Sequence, residues 1–186
     1  MVRPTTGDGA AGNRFERLDV YVEVICDVEL SRFADTELNG INKWNTIVGT
    51  ALDAKTKDLF GFKYENGKFS QIKYPGATQT MVTGNNDNGV IIGGYQKGSS
   101  PWTGFALENG MFKSVKLSAG YVPSDINNRG EIVSGNEILY PNGKLEIIYL
   151  PGSAGTSALG INDLGVISGD ASYGTFEFQG FTATCK

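Results

Sequence analysis

One phrase occurs four times in the chain, and it restricts the fold more than any other feature. It reads Ile41-Asn42-Lys43-Trp44-Asn45-Thr46-Ile47-Val48-Gly49, then Asn85-Asn86-Asp87-Asn88-Gly89-Val90-Ile91-Ile92-Gly93, then Ile126-Asn127-Asn128-Arg129-Gly130-Glu131-Ile132-Val133, and Ile161-Asn162-Asp163-Leu164-Gly165-Val166-Ile167-Ser168-Gly169. The shared asparagines Asn42, Asn86, Asn127 and Asn162 lie 44, 41 and 35 residues apart, near the ~40–45-residue period of four-stranded propeller blades. Asn and Asp favour turns through side-chain hydrogen bonds. The fifth position, Gly89, Gly130 and Gly165 with Asn45 in the first copy, suits a left-handed backbone. The phrase predicts a hairpin turn leading into an apolar strand.

A second turn follows each of the first three copies: Tyr64-Glu65-Asn66-Gly67-Lys68-Phe69, Leu107-Glu108-Asn109-Gly110-Met111-Phe112 and Tyr140-Pro141-Asn142-Gly143-Lys144-Leu145. Asn-Gly between apolar runs is a strong short-range hairpin signal. Taken in order, the turns divide each unit into four antiparallel strands, in the second unit 78–85, 90–95, 103–107 and 111–117. The fourth unit supplies three, around 157–161, 166–169 and 180–183. Phe15-Glu16-Arg17-Leu18-Asp19-Val20 carries the pattern of the outer strand Phe69-Ser70-Gln71-Ile72-Lys73-Tyr74.

The expected fold is therefore all-β: a small β-propeller of about four four-stranded blades, its last blade completed by the N-terminal strand 15–20, an arrangement that hides both sheet edges. The units fall at about 36–77, 78–120, 121–155 and 156–186 within one domain over 15–186, and residues 1–14 form a leader or tail outside the repeat. An open stack of hairpin units and a fifth, irregular blade made from 21–35 are the alternatives.

Composition agrees with short strands and tight turns: 26 glycines, 40% apolar and 19% charged residues. A formal charge of −4 with no Lys/Arg cluster gives no field for a polyanion, so neither nucleic acid nor an anionic membrane is expected as a partner. The chain has no histidine, which excludes Ser-His-Asp and Cys-His nucleophile systems and imidazole-ligated zinc. No phosphate-cradling glycine loop is present, Asp87 and Asp163 read as turn residues rather than calcium ligands, and neither cofactor nor metal is expected. No run approaches the ~20 apolar residues of a membrane span, and the first residues lack the apolar stretch of a secretory signal. Cys26 and Cys185 lie near opposite ends, where a disulfide and two free thiols are both open readings.

The phrase Gly-Ile-Asn-Asp-x-Gly-x-Ile-x-Gly, the pairs Gly61-Phe62, Gly104-Phe105 and Gly180-Phe181, and Pro75-Gly76-Ala77 resemble the HAF-type repeats of bacterial extracellular proteins. The resemblance covers 36–186 and more faintly 15–20. Those repeats carry His before Phe where this chain has Gly61 and Gly104. The resemblance implies an exported repeat protein, extracellular or periplasmic, and carries no established activity.

In an up-and-down blade the short Asn turns share one rim and the longer loops the other, and loops grouped on a rigid scaffold are the natural place for binding. That long-loop rim is expected to include 51–58, 96–102, 170–175 and the 21–35 insert. Tyr95, Trp102 and Tyr173 lie in or beside these loops, where their flat faces suit stacking on a sugar or packing beneath the loops. Trp44 sits at an exposed hairpin tip and is a candidate anchor. The expected function is a binding or interaction module for a carbohydrate or peptide. The alternative is a small glycoside hydrolase using paired carboxylates, with Asp53, Glu137 and Asp170 as catalytic candidates and Asp58, Asp27, Glu29 and Asp35 as further acids.

Overall fold

The computed structural model describes residues 33–118, 120–175 and 177–184, and among these every regular element is a strand. Four antiparallel sheets form a four-bladed β-propeller. The first blade is β1 (Phe33–Ile41), β2 (Ile47–Asp53), β3 (Leu59–Glu65) and β4 (Lys68–Ile72); the second is β5 (Gln79–Asn85), β6 (Ile91–Gln96), β7 (Thr103–Glu108) and β8 (Met111–Ser114). The third is β9 (Asp125–Ile126), β10 (Ile132–Ser134), β11 (Glu137–Leu139) and β12 (Leu145–Ile147), and the fourth is β13 (Gly155–Ile161), β14 (Val166–Gly174) and β15 (Glu177–Thr184). The strand 15–20 expected to complete the fourth blade, the residues 1–14, most of the 21–35 insert and both cysteines lie outside the described residues.

The repeated asparagine explains how blades are joined. Its Oδ1 closes its own turn by accepting two backbone N–H groups: Trp44 and Thr46 on Asn42, Asn88 and Val90 on Asn86, Arg129 and Glu131 on Asn127, Leu164 and Val166 on Asn162. Its Nδ2 reaches the next blade. Asn42 donates to the Asn86 carbonyl at 3.1 Å, Asn86 to that of Asn127 at 3.0 Å, and Asn127 to that of Asn162 at 3.0 Å. A parallel rung runs one residue on, where Lys43 N–H donates to Asp87, Asp87 N–H to Asn128 and Asn128 N–H to Asp163 through their Oδ1 atoms. The turn's fifth position has φ of 60°, 78°, 79° and 77° at Asn45, Gly89, Gly130 and Gly165, the left-handed region that the sequence pattern implied.

Each seam is also an apolar layer built from two consecutive blades. Val48 and Ile72 pack with Val82, Ile91 and Phe105; Ile92 and Val115 with Ile126 and Ile132; Val133, Ile138 and Ile148 with Ala158, Ile161 and Ile167. Inner strands follow the same order, with β1 against β5, β5 against β9 and β9 against β13, whereas the described strands of the fourth and first blades share no comparable contact.

The recurring Gly and Gly-Phe meet across strands as Gly49 with Phe62, Gly93 with Phe105 and Gly169 with Phe181. A Cβ on these glycines would stand 2.0–2.1 Å from the carbonyl oxygens of Glu37, Met81 and Ser157, and 2.8–3.0 Å from the facing ring. Only glycine fits there. The third blade has Ser134 instead, whose Oγ donates to the Val122 carbonyl at 2.6 Å, and its strands are correspondingly short.

The ladder makes a differential prediction. Asn86→Asp keeps the turn acceptor but replaces an interblade donor with a carboxylate facing the Asn127 carbonyl, and is expected to cost roughly 2–3 kcal/mol. Asn162→Asp, at the end of the ladder, is expected to change stability by less than about 0.5 kcal/mol. Urea unfolding of both variants in dilute solution checks the contrast; equal losses would mean that the interblade amide carries no energy.

Candidate functional site

A cavity of about 570 Å³ opens beside the inner strands of the first three blades, toward the ends of those strands that lie away from the Asn turns. Asp35, Thr36, Glu37 and Asn39 of β1 form one wall, Thr50, Ala51 and Leu52 of β2 with Leu59 of β3 a second, and Met81 and Thr83 of β5 with 122–124, which lead into β9, the third. Asp35 and Glu37 are two residues apart on one strand and face the same space, which separates them by about 6.6–6.8 Å along the chain.

Several wall groups are held by bonds between blades. Asn39 Nδ2 donates to the Val82 carbonyl at 2.8 Å and lies 3.4 Å from Thr50 Oγ1. Thr50 Oγ1 both accepts from Val82 N–H at 3.1 Å and donates to its carbonyl at 3.2 Å. A bulge between Leu38 and Gly40 is repeated between Val82 and Gly84 and between Ala158 and Gly160; such bulges re-aim side chains. Asp35 Oδ1 accepts from Thr36 N–H. Among the described residues the Glu37 carboxylate makes no hydrogen bond or ion pair, and no Lys or Arg among them lines the cavity.

The acids singled out from sequence are dispersed over three blades, and none of Asp53, Glu137 and Asp170 lines this cavity. Asp53 closes its own turn, accepting from Lys55 N–H at 2.8 Å and Thr56 N–H at 2.9 Å. Those bonds, Thr56 first and Lys55 next, hold its carboxyl below the ordinary value. Glu137 is 1% exposed and accepts from both the N–H and the hydroxyl of Ser118. Asp170 belongs to β14, paired with Ser157 and Gly180. Asp58 stands 3.9 Å from Lys73. Of the acids in the 21–35 insert, Asp35 lies in β1 and reaches the cavity, whereas Asp27 and Glu29 lie outside the described residues.

The aromatic candidates also have local partners. Tyr95 stacks on Tyr74 with centroids 3.6 Å apart, and Lys97 lies 5.7 Å from both rings. Trp102 covers Gly94 beside Val122. Tyr173, expected in a loop, is a strand residue half-buried next to Gly152. The 170–175 loop is corrected in the same way, because β14 continues to Gly174 by pairing with β15. Trp44 is 65% exposed at its hairpin tip; its indole N–H donates to the Asp87 carbonyl and Lys43 lies 4.9 Å above the ring.

The residues that do line the cavity, Glu37, Asn39, Thr83 and Ser124 among them, sit three and five positions before the repeated asparagine. Extending the repeat upstream places Glu37 with Met81 and Val122, and Asn39 with Thr83 and Ser124. That register was the available signal. Next to Ser124, Asp125 occupies the place of Gly40, Gly84 and Gly160, accepting from Ile126 N–H and, across the blade seam, from Ile161 N–H, both at 2.8 Å. Burial pushes its carboxyl above the ordinary 3.8, against the opposing pull of these two bonds.

Asp125 and Asp87 should therefore give opposite pH dependences. The raised folded-state value of Asp125 contributes stability that is present below about 3.8 and lost as pH rises through the folded value. Asp87 is held low by Lys43 N–H first, with the Asn128 amide and the Lys43 charge adding to it, so its contribution is present above about 3.8 and lost as pH falls. The stability difference between wild type and Asp125→Asn should shrink with rising pH, and that for Asp87→Asn should grow. Urea midpoints across the carboxylate range check both, and parallel curves would refute the pair.

No family model matches the chain, and no curated protein matches it.

Proposed function

We propose that the protein is a binding module that takes a polyhydroxylated ligand, a carbohydrate, in the cavity between the inner strands of its first three blades. The observation that carries this reading is the pairing of Asp35 and Glu37 with Asn39, Thr83 and Ser124 around Met81 and Val122, with no cation among the described lining residues. Each carboxylate oxygen can accept from a sugar hydroxyl, and such charge-assisted bonds are about twice as strong as neutral ones. Hydroxyl and amide groups both donate and accept, as vicinal hydroxyls require. Met81 and Val122 offer apolar surface to the C–H face of a ring. Walls tied by Asn39 and Thr50 keep the ordering cost of binding small. An exported setting, where free glycans are met, agrees with the resemblance to extracellular repeat proteins.

A glycan array followed by calorimetry tests the reading. Glu37→Gln is expected to weaken the best ligand by about tenfold, equivalent to ~1.4 kcal/mol, while Trp44→Ala leaves affinity unchanged. Binding that survives Glu37→Gln but is abolished by Trp44→Ala would move the site to the turn rim.

The presence of two carboxylates, Asp35 and Glu37, in the lining of one cavity favours a second reading, an inverting glycosidase, which requires two carboxyl groups ~6.5–9.5 Å apart with room for a water. A screen of chromogenic glycosides decides it. Turnover lost in both Asp35→Asn and Glu37→Gln makes the protein an enzyme, and no turnover on any substrate leaves the binding module.

A further inference from the structure

The repeat provides its own standard for what each blade face meets. Four residues before the repeated asparagine stand Val82, Pro123 and Ala158 in the second to fourth blades, all buried, Val82 and Ala158 in the layers they form with the preceding blade. One residue before it, Ile126 and Ile161 are buried in the same way. In the first blade these positions are Leu38 and Ile41, 68% and 64% exposed. At the other end of the ladder Asn162 is exposed, and its Nδ2 donates no hydrogen bond among the described residues, while its Oδ1 still closes its own turn. Asp170 there takes the place of Thr50 and Gly135, whose oxygens accept the N–H groups of Val82 and Ala158 across their seams.

We propose that these two faces join copies of this chain head to tail, the fourth blade of one copy seating on the first blade of the next. The contact continues an interface that the chain already makes three times within itself. The Asn162 amide donates to the Asn42 carbonyl, the Asp170 carboxylate meets the N–H of Leu38, and Leu38 and Ile41 are withdrawn from water as their counterparts are. One rung differs. Lys43 stands where the later blades carry Asp87, Asn128 and Asp163, so it cannot accept the Asp163 N–H. Its ammonium stands 3.5 Å from Asp87 of its own chain and the Asp163 carboxylate is bound by Asn128 of the third blade, so this rung is missing from the contact between copies, which rests on the other contacts. A heterologous contact of this kind closes into a ring if its rotation allows and otherwise extends.

Sedimentation equilibrium of the full chain over a range of concentrations reads the assembly directly, with masses expected at multiples of 19.9 kDa. Leu38→Asp blocks one face and the pair Asn162→Asp with Asp170→Lys blocks the other. Each protein alone should be monomeric, at least tenfold weaker in self-association than wild type. Mixed, the two should form a 1:1 complex through the one seam left intact. Asn162→Asp by itself, a surface change, guards against a folding defect in the double variant and should already weaken assembly. A monomer at every concentration overturns the proposal, including the case in which hydrogen exchange finds β1 covered by the chain's own residues 1–32 or its own fourth blade. Continued self-association of the Asn162→Asp, Asp170→Lys protein without its partner overturns it too, since that result means apolar first blades meeting face to face.

Discussion

A single side chain in each of the first three blades performs two tasks that only asparagine combines at this length. Its oxygen collects two N–H groups of a tight turn and its nitrogen binds the carbonyl of the next blade. Aspartate would hold the turn and repel the carbonyl, and serine would lack the second arm. Because the turn and the seam share one rigid amide, the geometry of a hairpin is converted into the spacing between sheets. Asn42, Asn86 and Asn127 are buried while making these bonds, so their polar atoms are fully used where a lost partner would be most costly.

That spacing sets the positions of the inner strands and through them the walls of the cavity. Thr50 and Asn39 reach from the first blade to the backbone of Val82, and the same bulge in β1, β5 and β13 turns the next side chain out of the ladder. Farther out, phenylalanine rings lie on glycines where no side chain could stand, keeping neighbouring strands close. The scaffold is thus specified by residues that face the seams. The residues three and five places upstream of the asparagine are left free to vary, and there Glu37, Met81, Val122 and Ser157 have nothing in common but their place.

This division explains what could be read in advance. The turns, the order of strands and the propeller itself were legible because Asn42, Gly49 and Phe62 recur with their partners, each under a steric or hydrogen-bonding demand repeated in every seam it serves. The cavity was not legible from the phrase, since its lining belongs to the variable places. Asp53 and Glu137 looked available as acids because sequence shows a carboxylate without its partners. In the folded chain one is bound to the N–H groups of its own turn and the other to Ser118. Asp170 and Tyr173 looked like loop residues in a stretch rich in Ser and Gly, yet pairing with β15 carries the strand through them.

The apolar layers have a consequence for how the protein comes apart. Among the described residues each is made by two adjacent blades and by nothing more distant, so none of these layers spans all four blades. The described inner-strand contacts of the propeller run in one line from the first blade to the fourth, and over that line stability sums over blades and seams as in a one-dimensional array. Loss of an end blade sacrifices one layer and one pair of rungs, while the inner seams remain intact. Heat or denaturant should then peel the protein from an end in stages, and amide protons of β5 and β6 should outlast those of β14 and β15.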